Sequence, residues 1–119
     1  MRIPSILSIQ VITFDEWGVS GHANHVATFR GVQLALGTLA RRNIFLLGLK
    51  LHTTPFVRKF LGVSDVPLSV LTSEYAVVNF NLIRVLRGMA AHKSQNVWYR
   101  ILFVLFSRYT YVNTFVKIN

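Results

Sequence analysis

Two histidines three residues apart are the side chains best suited to chemistry in this sequence. They are His22 and His25, within the run GHANH of residues 21–25. Imidazoles at this spacing, where a loop enters a helix, can face one cavity and bind a metal. A catalytic zinc takes about three protein ligands and keeps a position open for water. The pair supplies at most two, and Asp15 and Glu16 are the nearest carboxylates. The spacing alone leaves two interpretations open, a metal-binding pair or a polar loop that caps a helix.

A second group of polar residues continues the apolar stripe of a predicted helix. Met89, His92 and Gln95 recur every three residues, which places them near one helical face. They could line a pocket, or His92 and Gln95 could satisfy hydrogen bonds where two helices meet. Arg84 and Arg87 suit a phosphate, although a charged helix face is usually solvated. No G-x-S-x-G elbow and no phosphate-cradling glycine loop occurs, which argues against those two chemistries.

The GHANH run lies where a predicted strand passes through a loop into a predicted helix. Residues 9–14 are apolar and β-branched, which predicts a buried strand, and residues 15–24 are rich in turn formers. Apolar residues then recur at helical spacing from His25 to about Arg41, with Ser20 or Asn24 as the candidate N-cap. In open α/β sheets, loops at the carboxyl ends of strands bind ligands.

The rest of the chain predicts further strands and helices of an α/β fold. Residues 43–51 and 76–80 read as strands, and residues 111–118 as a closing strand. Thr54-Pro55 marks a helix start, with Phe56, Phe60 and Leu61 facing inward until Gly62 ends it. Pro67 leaves the structure of residues 66–75 open. Two helices follow at residues 82–90 and 98–105. The core positions expected in the second are Trp98, Ile101, Leu102 and Leu105.

Composition narrows the class of protein and its partners. The 119 residues suit one domain, and 52% hydrophobic residues with a mean hydropathy of +0.45 exclude a disordered chain. The absence of cysteine excludes disulfides and thiolate chemistry. Thirteen Lys and Arg against four Asp and Glu give a formal charge of +9, which favours an anionic partner. After Glu74 there are six basic residues and no acidic one. No stretch has the length and apolarity of a transmembrane helix.

Several motifs in order resemble one family. Residues 13–25 (TFDEWGVSGHANH) resemble its TFDxxGVSGHxNH segment, residues 89–100 its MxxHxSQxxWxR, and residues 106–109 (FSRY) followed by Asn113 its ending. Arg58-Lys59 and residues 66–69 (VPLS) are weaker matches. The family is that of the N-acetylglucosaminyl-phosphatidylinositol de-N-acetylases, the branch of the LmbE-like deacetylases that acts in GPI-anchor biosynthesis.

The resemblance implies a Rossmann-like LmbE-type α/β fold and a hydrolase that uses one divalent metal, usually zinc. It implies that His25 binds this metal and that His22 stabilises the oxyanion. The substrate would be GlcNAc-phosphatidylinositol at the cytoplasmic face of the endoplasmic reticulum, where anionic headgroups suit a basic protein. The residues then expected to contact the substrate are Ser20, Asn24, His92 and Gln95.

The chain departs from this family in one important respect. The HPDDE motif, which supplies the family's other metal ligands and general base, does not occur. We therefore expect residues 1–119 to form a single partial domain, the C-terminal half of the fold, that attaches peripherally to membranes and is inactive alone. Two alternatives stay open, a degenerate paralogue and a non-catalytic basic protein that binds membranes or nucleic acid. No nucleic-acid recognition motif is present, so we expect no nucleic-acid partner.

Overall fold

The structure is a computed structural model that describes residues 9–119, apart from the side chain of Gln95. It confirms a mixed α/β architecture, with four strands hydrogen-bonded in the order β1-β2-β4-β3. The chain divides into two compact units. The first ends at Thr53 and also contains Val116–Asn119, and the second is Thr54–Phe115. Within the described part of the chain, every helix is too short or too polar to cross a membrane.

The first unit is built as a strand, a loop, a long helix and a second strand. Its elements are β1 (Gln10–Phe14), α1 (Gly18–Gly21), α2 (Ala23–Arg41) and β2 (Leu47–Leu51). β1 and β2 are parallel, with Gln10 opposite Leu47 and Phe14 opposite Leu51. The apolar side of α2 buries Phe29, and β2 buries Leu49. β2 begins four residues later than predicted because Asn43, with a φ of 60°, lies in the turn that ends α2.

The second unit contains the remaining elements. They are α3 (Phe56–Lys59), α4 (Val66–Thr72), β3 (Tyr75–Val78), α5 (Leu82–Ala91), α6 (Trp98–Phe106), α7 (Arg108–Tyr111) and β4 (Val112–Lys117), with 3₁₀ turns at Gly62–Asp65 and Lys93–Gln95. The last two residues of β4 belong to the first unit. β3 and β4 are antiparallel, with Tyr75 opposite Phe115. Pro67 occupies the first turn of α4, where its missing N–H costs no helical hydrogen bond.

The prediction of inward-facing residues in α3 and α6 is wrong. The side chains that are exposed instead are Phe56, Phe60, Leu61, Trp98, Ile101 and Leu102. α3 is a single turn that ends at Lys59, and it is too short to bury an apolar face. α6 is apolar around most of its circumference, yet the fully buried residue within it is Val104. Helical spacing identifies an apolar face, but it does not establish that another element covers that face.

Candidate functional site

The loop between β1 and α2 is organised by the buried carboxylate of Asp15, which is 3% exposed. Its Oδ1 atom accepts hydrogen bonds from the backbone N–H groups of Trp17 and Gly18 at 3.1 and 3.0 Å. Thr53, just after β2, donates its N–H to Oδ2 at 2.6 Å and its hydroxyl to Oδ1. The carboxylate thus accepts four hydrogen bonds, three of them at Oδ1, which makes Asp15 an organiser of the loop.

The backbone of this loop takes an unusual course. Gly18 and Gly21 have φ values of +56° and +74°, which suit glycine, but Val19 has a φ of 68° and a ψ of −46°. A β-branched residue with a positive φ costs on the order of 1–3 kcal/mol. The Val19 N–H donates to Thr53 Oγ1 at 2.9 Å, so the hydroxyl that binds Asp15 also holds the strained residue.

His25 is held by an aromatic contact and a hydrogen bond. Its ring stacks on Phe14, with centroids 3.9 Å apart and planes 9° from parallel. Its Nδ1 atom lies 3.1 Å from the carbonyl oxygen of Gly18. A carbonyl only accepts hydrogen bonds, so Nδ1 carries the proton in the neutral ring and Nε2 keeps its lone pair. A metal-binding imidazole is commonly fixed in this way.

Of the other predicted residues of the first unit, His22 lies beside His25. The ring of His22 is 4.7 Å from that of His25, with planes tilted by 30°. Ser20, His22 and Asn24 are all exposed. The expected capping role of Ser20 or Asn24 is wrong, because His22 occupies the N-cap of α2 and makes no side-chain capping bond. Gly21, with its positive φ, ends the preceding turn. Helix α2 then begins at Ala23, so Asn24 lies inside the helix and not at its N-cap.

The residues present fit one ligand of a metal site and not a complete set. No group of three His, Asp or Glu side chains converges anywhere in residues 9–119. Asp15 is already occupied by its four donors. Glu16 is ion-paired with Lys50 at 2.9 Å, and the hydrogen bond from Lys50 lowers the pKa of that carboxyl. Nε2 of His25 is the atom that could bind a metal, and a metal bound there would need further ligands beyond those that the described residues bring together.

The two other predicted contacts belong to the second unit. His92 is exposed and follows the last residue of α5, and the side chain of Gln95 lies outside the described residues. Arg84 and Arg87 are also exposed, and with Asn81 they line an open hollow of about 380 Å³. Whether His92 and Gln95 contact a substrate stays a prediction.

A buried ionic cluster occupies the interior of the second unit. Its members are Arg58, Asp65, Ser69 and Arg108. The Asp65 carboxylate accepts from Arg58 Nε at 2.8 Å, from Ser69 Oγ at 2.6 Å and from Arg108 Nε. Burial raises the pKa of Asp65, but the hydrogen bonds of the serine and both arginines outweigh it, so the pKa lies below its ordinary value. Because Arg108 is fully buried and ion-paired, the prediction that all six basic residues after Glu74 are uncompensated is wrong.

The FSRY motif is explained by the same interior. The Tyr109 hydroxyl oxygen accepts a hydrogen bond of 3.1 Å from the backbone N–H of Thr54. The Tyr109 ring lies 5.3 Å from the Arg108 guanidinium. Asn113 donates to the Tyr109 carbonyl at 3.0 Å. These contacts fix α7 and the start of β4, so Arg108, Tyr109 and Asn113 have a structural role.

Comparison with known proteins places these features in context. The chain is 37% identical over 110 residues to the N-acetylglucosaminyl-phosphatidylinositol de-N-acetylase of Bos taurus, a match that covers 87% of this chain and 42% of that protein. It is 32% identical over 140 residues to the probable de-N-acetylase of the same name in Dictyostelium discoideum, covering 92% and 54%. The chain is homologous to part of these de-N-acetylases. It spans about half their length, which is consistent with the predicted C-terminal portion.

Comparison with family models and with solved structures gave no match. No family model matches the chain, and no solved structure matches it significantly. The names of the relatives confirm the resemblance to the de-N-acetylases that the sequence motifs indicated. They leave the LmbE-type fold, the metal and the site residues as predictions.

Sequence reasoning missed three residues that shape this de-N-acetylase-like chain. Thr53 ties β2 to the loop, and its only sequence signal is its place just after a strand. Gly18 lies so close to α2 that an added Cβ would be 3.0 Å from His25 Cβ. Asp65 is one of only four acidic residues in the chain. That rarity was the signal available for it, because a lone carboxylate among many cations is well placed to pair with them.

Proposed function

We propose that residues 1–119 form part of an N-acetylglucosaminyl-phosphatidylinositol de-N-acetylase of GPI-anchor biosynthesis. In this proposal the chain is one partial domain, the C-terminal half of a Rossmann-like LmbE-type fold. The observation that carries the proposal is the placement of His25. Its Nδ1–H donates to Gly18, and its Nε2 is free beside the exposed ring of His22. The homology to the bovine enzyme gives this arrangement its chemical context.

His25 holds the metal through Nε2, and its partners in the loop keep the ring in place. The divalent metal that His25 would hold, for which we propose zinc, would supply Lewis-acid chemistry for hydrolysis of the amide. The exposed imidazole of His22 donates a hydrogen bond to the developing oxyanion. The side chains assigned to substrate binding are Ser20, Asn24, His92 and Gln95.

The substrate places this activity at a membrane. GlcNAc-phosphatidylinositol is a glycolipid with an anionic phosphate, and we propose that the protein acts on it at the cytoplasmic face of the endoplasmic reticulum. We propose peripheral attachment for this chain. In its second unit the exposed cations that favour an anionic surface are Arg84, Arg87, Lys93 and Arg100.

Residues 1–119 are inactive alone in this proposal, because amide hydrolysis also needs a general base and further metal ligands. General-base assistance is worth roughly 10²- to 10⁴-fold in rate. Asp15 does not serve as that base, since four donors already occupy its carboxylate.

The test is release of acetate from GlcNAc-phosphatidylinositol with zinc present. Three proteins are compared: the lone chain, a fusion with the part of the bovine relative that this chain does not match, and that fusion carrying His25→Ala. We expect activity in the unmodified fusion only. Activity in the lone chain would refute the partial-site account. An inactive fusion that is shown to be folded would favour a degenerate paralogue.

A further inference from the structure

The second unit exposes a group of neighbouring aromatic side chains. We call it the aromatic surface and define it as Phe56, Phe60, Trp98, Tyr99 and Phe103. Phe56 is 75% exposed and Trp98 is 74% exposed, and the other three side chains are also exposed. Exposed aromatic residues scattered singly need no explanation, but a contiguous set marks an interaction site.

Side-chain contacts connect the members of this surface. The Phe56 and Phe60 rings meet edge to face at 5.1 Å, and Phe60 meets Phe103 in the same way at 6.1 Å. Trp98 packs edge-on against Tyr99 at 5.9 Å. Phe60 and Phe103 thereby join α3 to α6, and a groove joins Phe103 to Tyr99.

That groove is apolar and carries one cation. Its lining consists of Met89, Tyr99, Arg100, Phe103 and Val104, and its volume is about 410 Å³. A lipid acyl chain has the shape and apolarity to lie in such a groove. Arg100 can then contact a lipid phosphate, because a guanidinium presents several donors to phosphate oxygens.

The charges of the second unit favour an anionic bilayer, since its acidic residues are the buried Asp65 and the exposed Glu74, and Arg100 lines the groove beside the aromatic surface. Arg84, Arg87, Lys93 and Arg100 are exposed in this unit, and no acidic residue follows Glu74 in the sequence. The carboxylate of Asp65, buried inside this unit, is taken up by its ion pairs. Trp, Tyr and Arg, adjacent at the start of α6, are the residue types that favour the boundary between headgroups and acyl chains.

We propose that the aromatic surface inserts into the interfacial region of an anionic bilayer, with Trp98 among the inserted side chains. The inference rests on the peripheral attachment proposed above and deepens it, since it names the surface that docks. It can fail while that activity stands, because docking is measured on vesicles that contain no substrate.

The experiment follows the emission of one tryptophan at a time. Trp17→Phe leaves Trp98 as the reporter, and the matched variant Trp98→Phe leaves Trp17, which is 67% exposed in the first unit. Both full-length chains are mixed with vesicles of phosphatidylcholine, with or without phosphatidylserine, and with brominated lipids as quenchers. We expect a blue shift and quenching for Trp98 on the anionic vesicles, and neither for Trp17.

A pair of phenylalanine variants tests whether insertion supplies affinity. Phe56→Ser should weaken partitioning into anionic vesicles about tenfold, since a phenylalanine leaves water on insertion. Phe45→Ser is the control, because Phe45 is 79% exposed but lies in the first unit. Equal losses from both variants would count against the aromatic surface, as would unchanged Trp98 emission on vesicles.

Two other occupants of the surface give distinct results. If a second copy covers it, the Trp98 emission shifts with protein concentration in the absence of lipid. If the rest of the fold covers it, Trp98 in the bovine fusion is shielded from acrylamide without vesicles and is not quenched by brominated lipid. Either result overturns the membrane proposal.

Discussion

Replacing Gly18 by alanine should dislodge His25, because the glycine serves two purposes at once. Its φ of +56° is one that an L-residue adopts at a cost of about 1–2 kcal/mol. An added Cβ would also lie 3.0 Å from both His25 Cβ and Val26 Cγ2. Overpacking of this kind costs typically about 1–3 kcal/mol. We therefore expect Gly18→Ala to lower the free energy of unfolding by about 2–5 kcal/mol.

Gly21→Ala is the matched control for this change. Gly21 has a similar φ of +74°, but a methyl group added there would meet no heavy atom within 4 Å. Gly21→Ala should therefore lower the free energy of unfolding only by the cost of the positive φ, about 1–2 kcal/mol. The difference between the two variants isolates the contact with His25.

Urea denaturation of the two variants measures this difference. Proton NMR of His25 supplies a second readout, since the ring lies 3.9 Å from Phe14 and its protons should be shifted by the stacked ring. Gly18→Ala should move those signals and Gly21→Ala should not. Equal losses of stability, with unchanged His25 signals in both variants, would refute the argument that Gly18 positions the histidine.

Three further predictions concern the two polar networks. Asp65→Asn should destabilise the fold by about 3–5 kcal/mol, because it leaves the fully buried Arg108 without its anionic partner. Glu16→Gln, at a half-exposed pair, should cost only about 0–1 kcal/mol in the same urea titration. The pKa of Asp65 is lowered on folding, so its stabilisation is complete above the ordinary value of 3.8 and is lost as the pH falls through the folded value. Melting temperatures measured from neutral to acid pH should fall more in the wild type than in Asp65→Asn, which keeps only the contribution of other paired carboxylates such as Glu16. Thr53→Val removes the hydroxyl shared by Asp15 and Val19 and should cost about 1–3 kcal/mol; a loss no larger than that of Glu16→Gln would contradict this role.

Most elements of the fold were predictable because they carry local signals. The β-branched run before Asp15 identified β1, although the prediction that this strand is buried is wrong, since Ile9 and Ile12 are 64% and 61% exposed. The helical spacing after His25 identified α2. α4 was not predicted, because a proline such as Pro67 can either begin a helix or interrupt one. The structure shows that Pro67 lies in the first turn. The exposure of Phe56 and Trp98 was unpredictable for another reason, since burial depends on which other elements cover an apolar face.

The site was partly predictable for the same physical reasons. The spacing of His22 and His25 indicated that their rings share a surface, and their centroids are 4.7 Å apart. The tautomer of His25 depends on its hydrogen bond to the backbone carbonyl of Gly18, and the identities of the residues do not reveal this contact. The role of Thr53 depends on contacts 34 and 38 residues away in sequence, with Val19 and Asp15, and only folding creates such contacts.

Zinc binding followed by calorimetry tests the central claim, that His25 contributes one ligand to a metal site completed from outside this chain. The proteins are the lone chain, the bovine fusion, and the fusion with His25→Ala or with His52→Ala, where His52 is an exposed control histidine. We expect weak binding by the lone chain. We expect a tight one-to-one site in the fusion that His25→Ala abolishes and His52→Ala preserves. A tight site in the lone chain that depends on His25, or a tight site in the fusion that survives His25→Ala, would contradict the account.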